Sequence, residues 1–182
     1  MPCFAIEDLI PVIDPTAYVH PTAVLIGDVI VGPRAYVGPA ACLRGDFGRI
    51  ILHEGVNVQD TCVMHGFPDG DTVVEVDGHI GHGSMVHGAH IERNVLIGMN
   101  AVVMDRARVG ESAIVGAMSF VREGTVIPPR VLALGVPAKV ARPLTEAEMA
   151  WKVAGTQQYQ ELAVRSLKTQ RPVEPLTAVQ PN

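Results

Sequence analysis

Aliphatic residues recur at every sixth position along most of this chain. They fall at Val19, Leu25, Val31, Val37 and Leu43, and resume at Leu52, Val58 and Met64. They return at Ile80 and Val86, slip by one residue near Ile91, and run on at Ile97, Val103, Val109, Val115, Val121 and Ile127. The next residue is often Gly (Gly32, Gly38, Gly81, Gly98, Gly110, Gly116), and the fifth of each unit is small or β-branched, as at Ala23, Ala35, Ala41, Ala101 and Ala113. A period of six fits neither a helix at 3.6 nor the alternation of a half-buried strand. It fits a chain that turns a corner every six residues, so that three flat faces close a triangular coil of 18. Each face sends one large aliphatic residue inward, and no coil can bury its apolar side chains alone. Gly eases the backbone where the chain bends or coils approach closely. A β-sandwich would space its turns at roughly 8–12 residues.

The pattern predicts an all-β parallel β-helix over residues 1–142, with loops or slips near 44–51, 66–77 and 91. The hexapeptide pattern resembles the bacterial hexapeptide-transferase repeat, and that resemblance implies a left-handed winding. A C-terminal helix is expected over 143–170, opened by a capping box in which Thr145 and Glu148 satisfy each other's orphan amides. Met149, Trp151, Tyr159, Leu162, Ala163 and Leu167 would give it an apolar face, with a break at Gly155. Residues 171–182 contain repeated Pro and read as an extended or disordered tail.

Composition narrows the function classes. The formal net charge is −5, with no run of Lys and Arg, so the footprint of a nucleic-acid binder is missing. No stretch reaches the roughly 18 apolar residues that suggest a membrane span. The N-terminus has no basic segment ahead of an apolar one, unlike a signal peptide. Three scattered cysteines, Cys3, Cys42 and Cys62, suit a reduced cytoplasmic protein better than a disulfide framework.

Candidate chemistry lies in the histidines. His65 follows the inward Met64 and His87 follows the inward Val86, so both occupy one phase of the repeat. They are 22 residues apart, one coil plus four, and the polar segment between them can bulge outward. The two should stack on one outer edge at about 4.8 Å, the spacing of neighbouring strands, which suits two ligands of one metal. His82 sits around the preceding corner and points away from the other two, and a neighbouring copy could supply it, as three-fold assembly allows. Three neutral imidazoles with an open position make a catalytic metal site. Zinc is expected, with iron or cobalt as alternatives. His20, His53, His79 and His90 show no phased partner and read as structural or solvated.

Arg44-Gly45-Asp46, Asn57-Val58-Gln59-Asp60, His65 and His82-Gly83-Ser84-Met85-Val86-His87-Gly88 resemble, in order, the motifs of the γ-class carbonic anhydrase family. The resemblance implies a homotrimer whose zinc sites lie at subunit interfaces, with His65 and His87 from one chain and His82 from the next. It implies that Gln59 orients the metal-bound water, that Arg44 and Asp60 pair across the interface, and that Asn57 and Asp46 support the site's hydrogen bonds. Tyr159 matches a site tyrosine of shorter members. The chain departs from the founding type after Asp46, where Phe47-Gly48 replaces an acidic loop, and again at Gly66-Phe67-Pro68. These departures remove the proton-transfer glutamates and put fast CO₂ hydration in doubt. CLRGDFGRI, CVMHGFPDGDTVV, DGHIGH and GMNAVVMD are similar to the phenylacetate-degradation (PaaY) and carnitine-operon (CaiE) group of that family. That likeness implies hydrolysis of acyl-CoA thioesters, with carbonic anhydrase activity as the alternative. The ending Gly135-Val136-Pro137-Ala138-Lys139 resembles that of CoA-binding hexapeptide acyltransferases. It leaves a third reading open, a transferase or a non-catalytic scaffold.

Overall fold

The computed structural model describes residues 3–178. The expected coil is present. Seven parallel strands stack on one face, one per turn, from Tyr18–Val19 to Val131–Gly135. Tyr18 pairs with Tyr36 and Leu96 with Ile114, each 18 residues on. The other two faces merge into one 12-stranded sheet, because Val24–Val31 and Cys42–Leu52 run unbroken around their corner and pair along most of their length.

The sixth-position residues fill the axis. Leu25, Leu43, Met64, Ile80, Ile97 and Val115 are each fully buried. Cross-sections this small leave room for one aliphatic side chain per face. A substitution such as Ile97→Ala would therefore open a void that neighbours cannot collapse into. The glycines after the inward residues mark close approach between coils, not the bends. A Cβ on Gly98 would stand 2.5 Å from the Ala117 nitrogen one turn on. The bends come two residues later, where Arg34, Thr61, Asn100 and Met118 hold positive φ.

The slip expected near 44–51 is present. Cys42–Leu52 remains a strand, but its register against Val24–Val31 jumps from Gly27–Gly45 to Val29–Ile50, and Ile50 is buried. The excursion near 66–77 is shorter than expected. Phe67 and Gly70 close a small loop, and Thr72–Val74 then rejoins the sheet between Cys42–Leu52 and His90–Ile91. The apolar residues of TVV were the missed signal, since Val74 fills an inward slot.

The end of the coil is also corrected. Ala138–Pro143 turns back antiparallel on Val131–Gly135, so the last part of 1–142 is a closing hairpin. Helix Glu146–Thr169 follows, with the Thr145–Glu148 capping box formed. It passes through Gly155 without a break. It docks by part of the face read from the sequence: Ala163 is buried against Tyr18 and Tyr36, and Tyr159 and Leu162 pack on that cluster. Trp151 and Leu167 stay exposed, while Lys152, Thr156, Ala163 and Ser166 are buried. Polar groups can make this seam because they find partners: the Lys152 ammonium donates to the Asp77 carbonyl at 2.5 Å and to Asn94 Oδ1 at 2.7 Å. Thr145→Ala should cost about 1 kcal/mol, read as a shift in the denaturation midpoint. Residues 171–178 hold no regular structure and are exposed. The remainder of the expected tail lies outside the described residues.

Candidate functional site

Strand register assembles the first cluster. Arg44 pairs with His65, and His65 with His87, on three stacked strands. The imidazoles face each other, with His65 Nδ1 3.0 Å from His87 Nε2. Each has a carboxylate behind it. His65 Nε2 lies 2.8 Å from Asp46 Oδ1, and His87 Nδ1 lies 2.5 Å from Asp105 Oδ1. Burial would raise the Asp46 carboxyl, but hydrogen bonds from Arg44 and His65 outweigh it and hold it below its ordinary value. Buried Thr72 clips the strands together: its hydroxyl donates to the His65 carbonyl at 2.6 Å and accepts from the Gly88 amide at 2.9 Å.

This arrangement fits a cation. With the rear nitrogens donating to carboxylates, the two front nitrogens present lone pairs to each other. A shared cation turns that repulsion into attraction, and the rear carboxylates fix tautomer and ring angle as in carboxylate–histidine–metal sites. Adjacent nitrogens on a tetrahedral zinc lie roughly 3.3 Å apart, close to the 3.0 Å found. Among the described residues, no three His, Cys, Asp or Glu side chains of one chain converge on such a point.

A second cluster surrounds His82. His82 sits in a corner turn after the His79–Ile80 strand, away from the paired histidines. Its Nδ1 lies 3.4 Å from Asp60 Oδ2, and its Nε2 lies 3.3 Å from the Tyr159 hydroxyl. Within one chain Asp60 thus faces His82, and Arg44 pairs with Asp46 at 2.6 Å. Gln59 is held from three sides. Its Oε1 accepts from the His82 amide at 3.2 Å, while its Nε2 donates to Asn57 Oδ1 at 3.0 Å and to His79 Nε2 at 2.6 Å. The His82 amide hydrogen fixes which way the Gln59 amide points. Both Gln59 hydrogens are therefore consumed, and only an Oε1 lone pair remains to accept from a ligand.

His79 and Asp105 were not found by sequence reasoning. His79 is in register with Asn57 and reaches Thr156 Oγ1 at 3.3 Å through its other nitrogen. Asp105 stands 18 residues after His87, so the repeat carried that signal. Burial, with the nearby Lys152 and His82 charges, pushes His79 down to about 4. The neutral ring is the form that can accept from Gln59. In the unfolded chain His79 takes up its proton near its ordinary value of 6.5. Its contribution to stability is thus full above about 6.5 and is lost as the pH falls toward about 4. Urea midpoints of wild type and His79→Gln between those limits should converge as the pH drops.

Residues 88–123 match the family described as "Bacterial transferase hexapeptide (six repeats)". The chain is 56% identical over its full 182 residues to the carnitine operon protein CaiE of Citrobacter koseri, covering 92% of that protein. It is 50% identical to CaiE of Escherichia coli K12 over the same 182 residues, covering 93% of it. A Bacillus cereus crystal structure provisionally called an acetyltransferase superposes with a TM-score of 0.91 at 34% identity, over 92% of this chain and 98% of that one. A hexapeptide transferase family protein from Anaplasma phagocytophilum gives 0.86 at 33% identity, over 89% and 96%. With full-length identity this high on a coil built from the same repeat, the chain belongs to the hexapeptide-repeat family of the carnitine operon protein CaiE.

Proposed function

We propose that this protein is a metal-dependent hydrolase of acyl-CoA thioesters whose site is completed between the subunits of a homotrimer. The observation that carries it is the pair of facing imidazole nitrogens, each backed by a carboxylate. His65 and His87 would hold the metal from one side, and His82 of a neighbouring copy from the other. Zinc fits this all-nitrogen donor set, and iron or cobalt could replace it. Bound there, it would supply Lewis acidity and lower the pKa of a coordinated water. The remaining steps belong to this chain's residues. Gln59 offers an acceptor that holds a water hydrogen, and Asn57 and His79 keep that amide in place. Arg44 and Asp46 position His65. Asp60 and Tyr159 flank His82. In the reaction, water oxygen bonds to the acyl carbon, the carbon–sulfur bond breaks, and the CoA thiol leaves with the proton.

The trimer reading rests on surface chemistry. Val63 and Met85 point outward on the strands that carry His65 and His87, and stay exposed with the corner residues Met99 and Met118. An apolar row of this kind, edged by half a metal site, suits a second copy better than water. No helix among the described residues is long and apolar enough to cross a membrane.

Acyl transfer is the second reading, favoured by the transferase names of the family and of its structural relatives. One experiment tests both. Metal content is measured on purified protein, together with hydrolysis of phenylacetyl-CoA and hydration of CO₂. About one zinc or iron per chain, with thioester hydrolysis the faster, supports the proposal. Faster CO₂ hydration favours carbonic anhydrase. No metal, and no activity on adding zinc, favours a transferase or a scaffold.

A further inference from the structure

A cavity of about 470 Å³ lies between the helix and the coil face beneath it. Its lining changes character along the coil axis. Gln59, His79 and His82 come from the two turns at one end, and Leu96, Met99, Ile114 and Ala117 from the next two turns. Neighbouring turns lie about 4.8 Å apart, so the apolar base begins one turn beyond His79 and ends three turns beyond Gln59. The helix spans the same length. Tyr159 stands over the polar end against His82, and Trp151, two helical turns earlier, closes the apolar part. Gly155 lies midway between them.

Gly155 has no explanation within the fold. It is helical, with no positive φ to require glycine. A Cβ built on it meets nothing within 4 Å. Glycine in a helix interior costs about 1 kcal/mol relative to alanine, so the chain carries a weakness with no steric cause of its own. What the missing side chain preserves is the open volume of the cavity.

We propose that this cavity receives the apolar acyl group of the substrate, with Gly155 setting the length or bulk admitted. The occupant's identity rests on the hydrolase reading above. A thioester carbonyl placed at the polar mouth, beside His82 and Gln59, would direct its hydrocarbon toward Trp151. The volume lies in the range of small-molecule sites, which are mainly apolar with a few polar groups at one place. An acyl chain of about eight carbons would use the base, and an acetyl group would not reach it.

Trp151 is the only tryptophan in the chain, so its fluorescence reports occupancy without turnover. The full-length, metal-loaded protein is titrated with octanoyl-CoA and acetyl-CoA, and hydrolysis of both is followed in wild type and Gly155→Phe. The expected result is a shift in Trp151 emission with octanoyl-CoA alone. In the variant, kcat/KM should fall about 30-fold or more for octanoyl-CoA and change little for acetyl-CoA. An emission shift that the variant abolishes, without any hydrolysis, supports the subsite and sinks the hydrolase. Hydrolysis with the same acyl preference in both proteins sinks the subsite and leaves the hydrolase. Loss of oligomer in Gly155→Phe, seen by sedimentation, overturns the proposal by showing that a second copy fills the space. If that variant does not fold, Leu96→Ala should move the preferred acyl length upward, and an unchanged preference overturns the proposal.

Discussion

His87→Ala should strip most of the bound metal and lower thioester turnover by at least about a thousandfold. The variant removes one of two front nitrogens and leaves Asp105 without its partner. Asp105→Asn tests the same geometry more gently. It keeps the ligand but weakens the group that orients it, so metal affinity or activity should fall about 10–100-fold. Metal analysis and steady-state kinetics on the same preparations check both. Full metal and full turnover in His87→Ala would end the metal reading. The interface assignment has its own test. Mixed trimers of His82→Ala and His87→Ala should recover part of the activity, because some shared sites then receive three intact ligands. Mixed trimers that form without recovery would overturn the assignment of His82 to a neighbouring subunit.

The second large effect is on stability. Met64→Ala should cost about 2–5 kcal/mol. Met64 is fully buried on the coil axis, where three faces leave little freedom to collapse into a void. It also precedes His65 and pairs in register with Val86, so the hole would open directly beneath the paired histidines. Denaturant unfolding measures the loss. Met64→Leu should recover most of it, since such a volume-conserving exchange usually costs less than about 1.5 kcal/mol.

Much of this molecule is written in its period. Leu25, Val37, Leu43, Ile97, Val103 and Val121 were each assigned inward from spacing alone, and each is buried. The phase match of His65 and His87 likewise predicted a stacked pair, and their strands pair them directly. The reading failed where the period is disturbed. Ile50 and Val74 are inward but sit beside irregular segments, where counting by six loses its origin. The helix was read in part. Ala163, Tyr159 and Leu162 pack on the coil as the apolar face implied, but the seam also holds Lys152, Thr156 and Ser166, which a search for apolar faces passes over. Burial pushes Lys152 down to about 7 even with Asp77 nearby, which no pattern of hydrophobicity conveys. His79 was hidden similarly. Its importance lies in what it does to Gln59, a contact made across coils and visible only once 57 and 79 are known to be neighbours.

The hairpin that ends the coil has a consequence for how the protein behaves at high concentration. A stack of identical turns finishes in a row of unpaired backbone donors and acceptors, the template on which fibres grow. On one face the place of the next turn is taken by Ala138–Pro143, which runs the wrong way to be copied. The other two faces stop at Phe120–Val121 and Val126–Ile127, strands of only two residues. Chains that lost residues 131–143 would keep a repeating core and lose its terminator. They should then polymerise end to end, which thioflavin binding and electron microscopy would reveal.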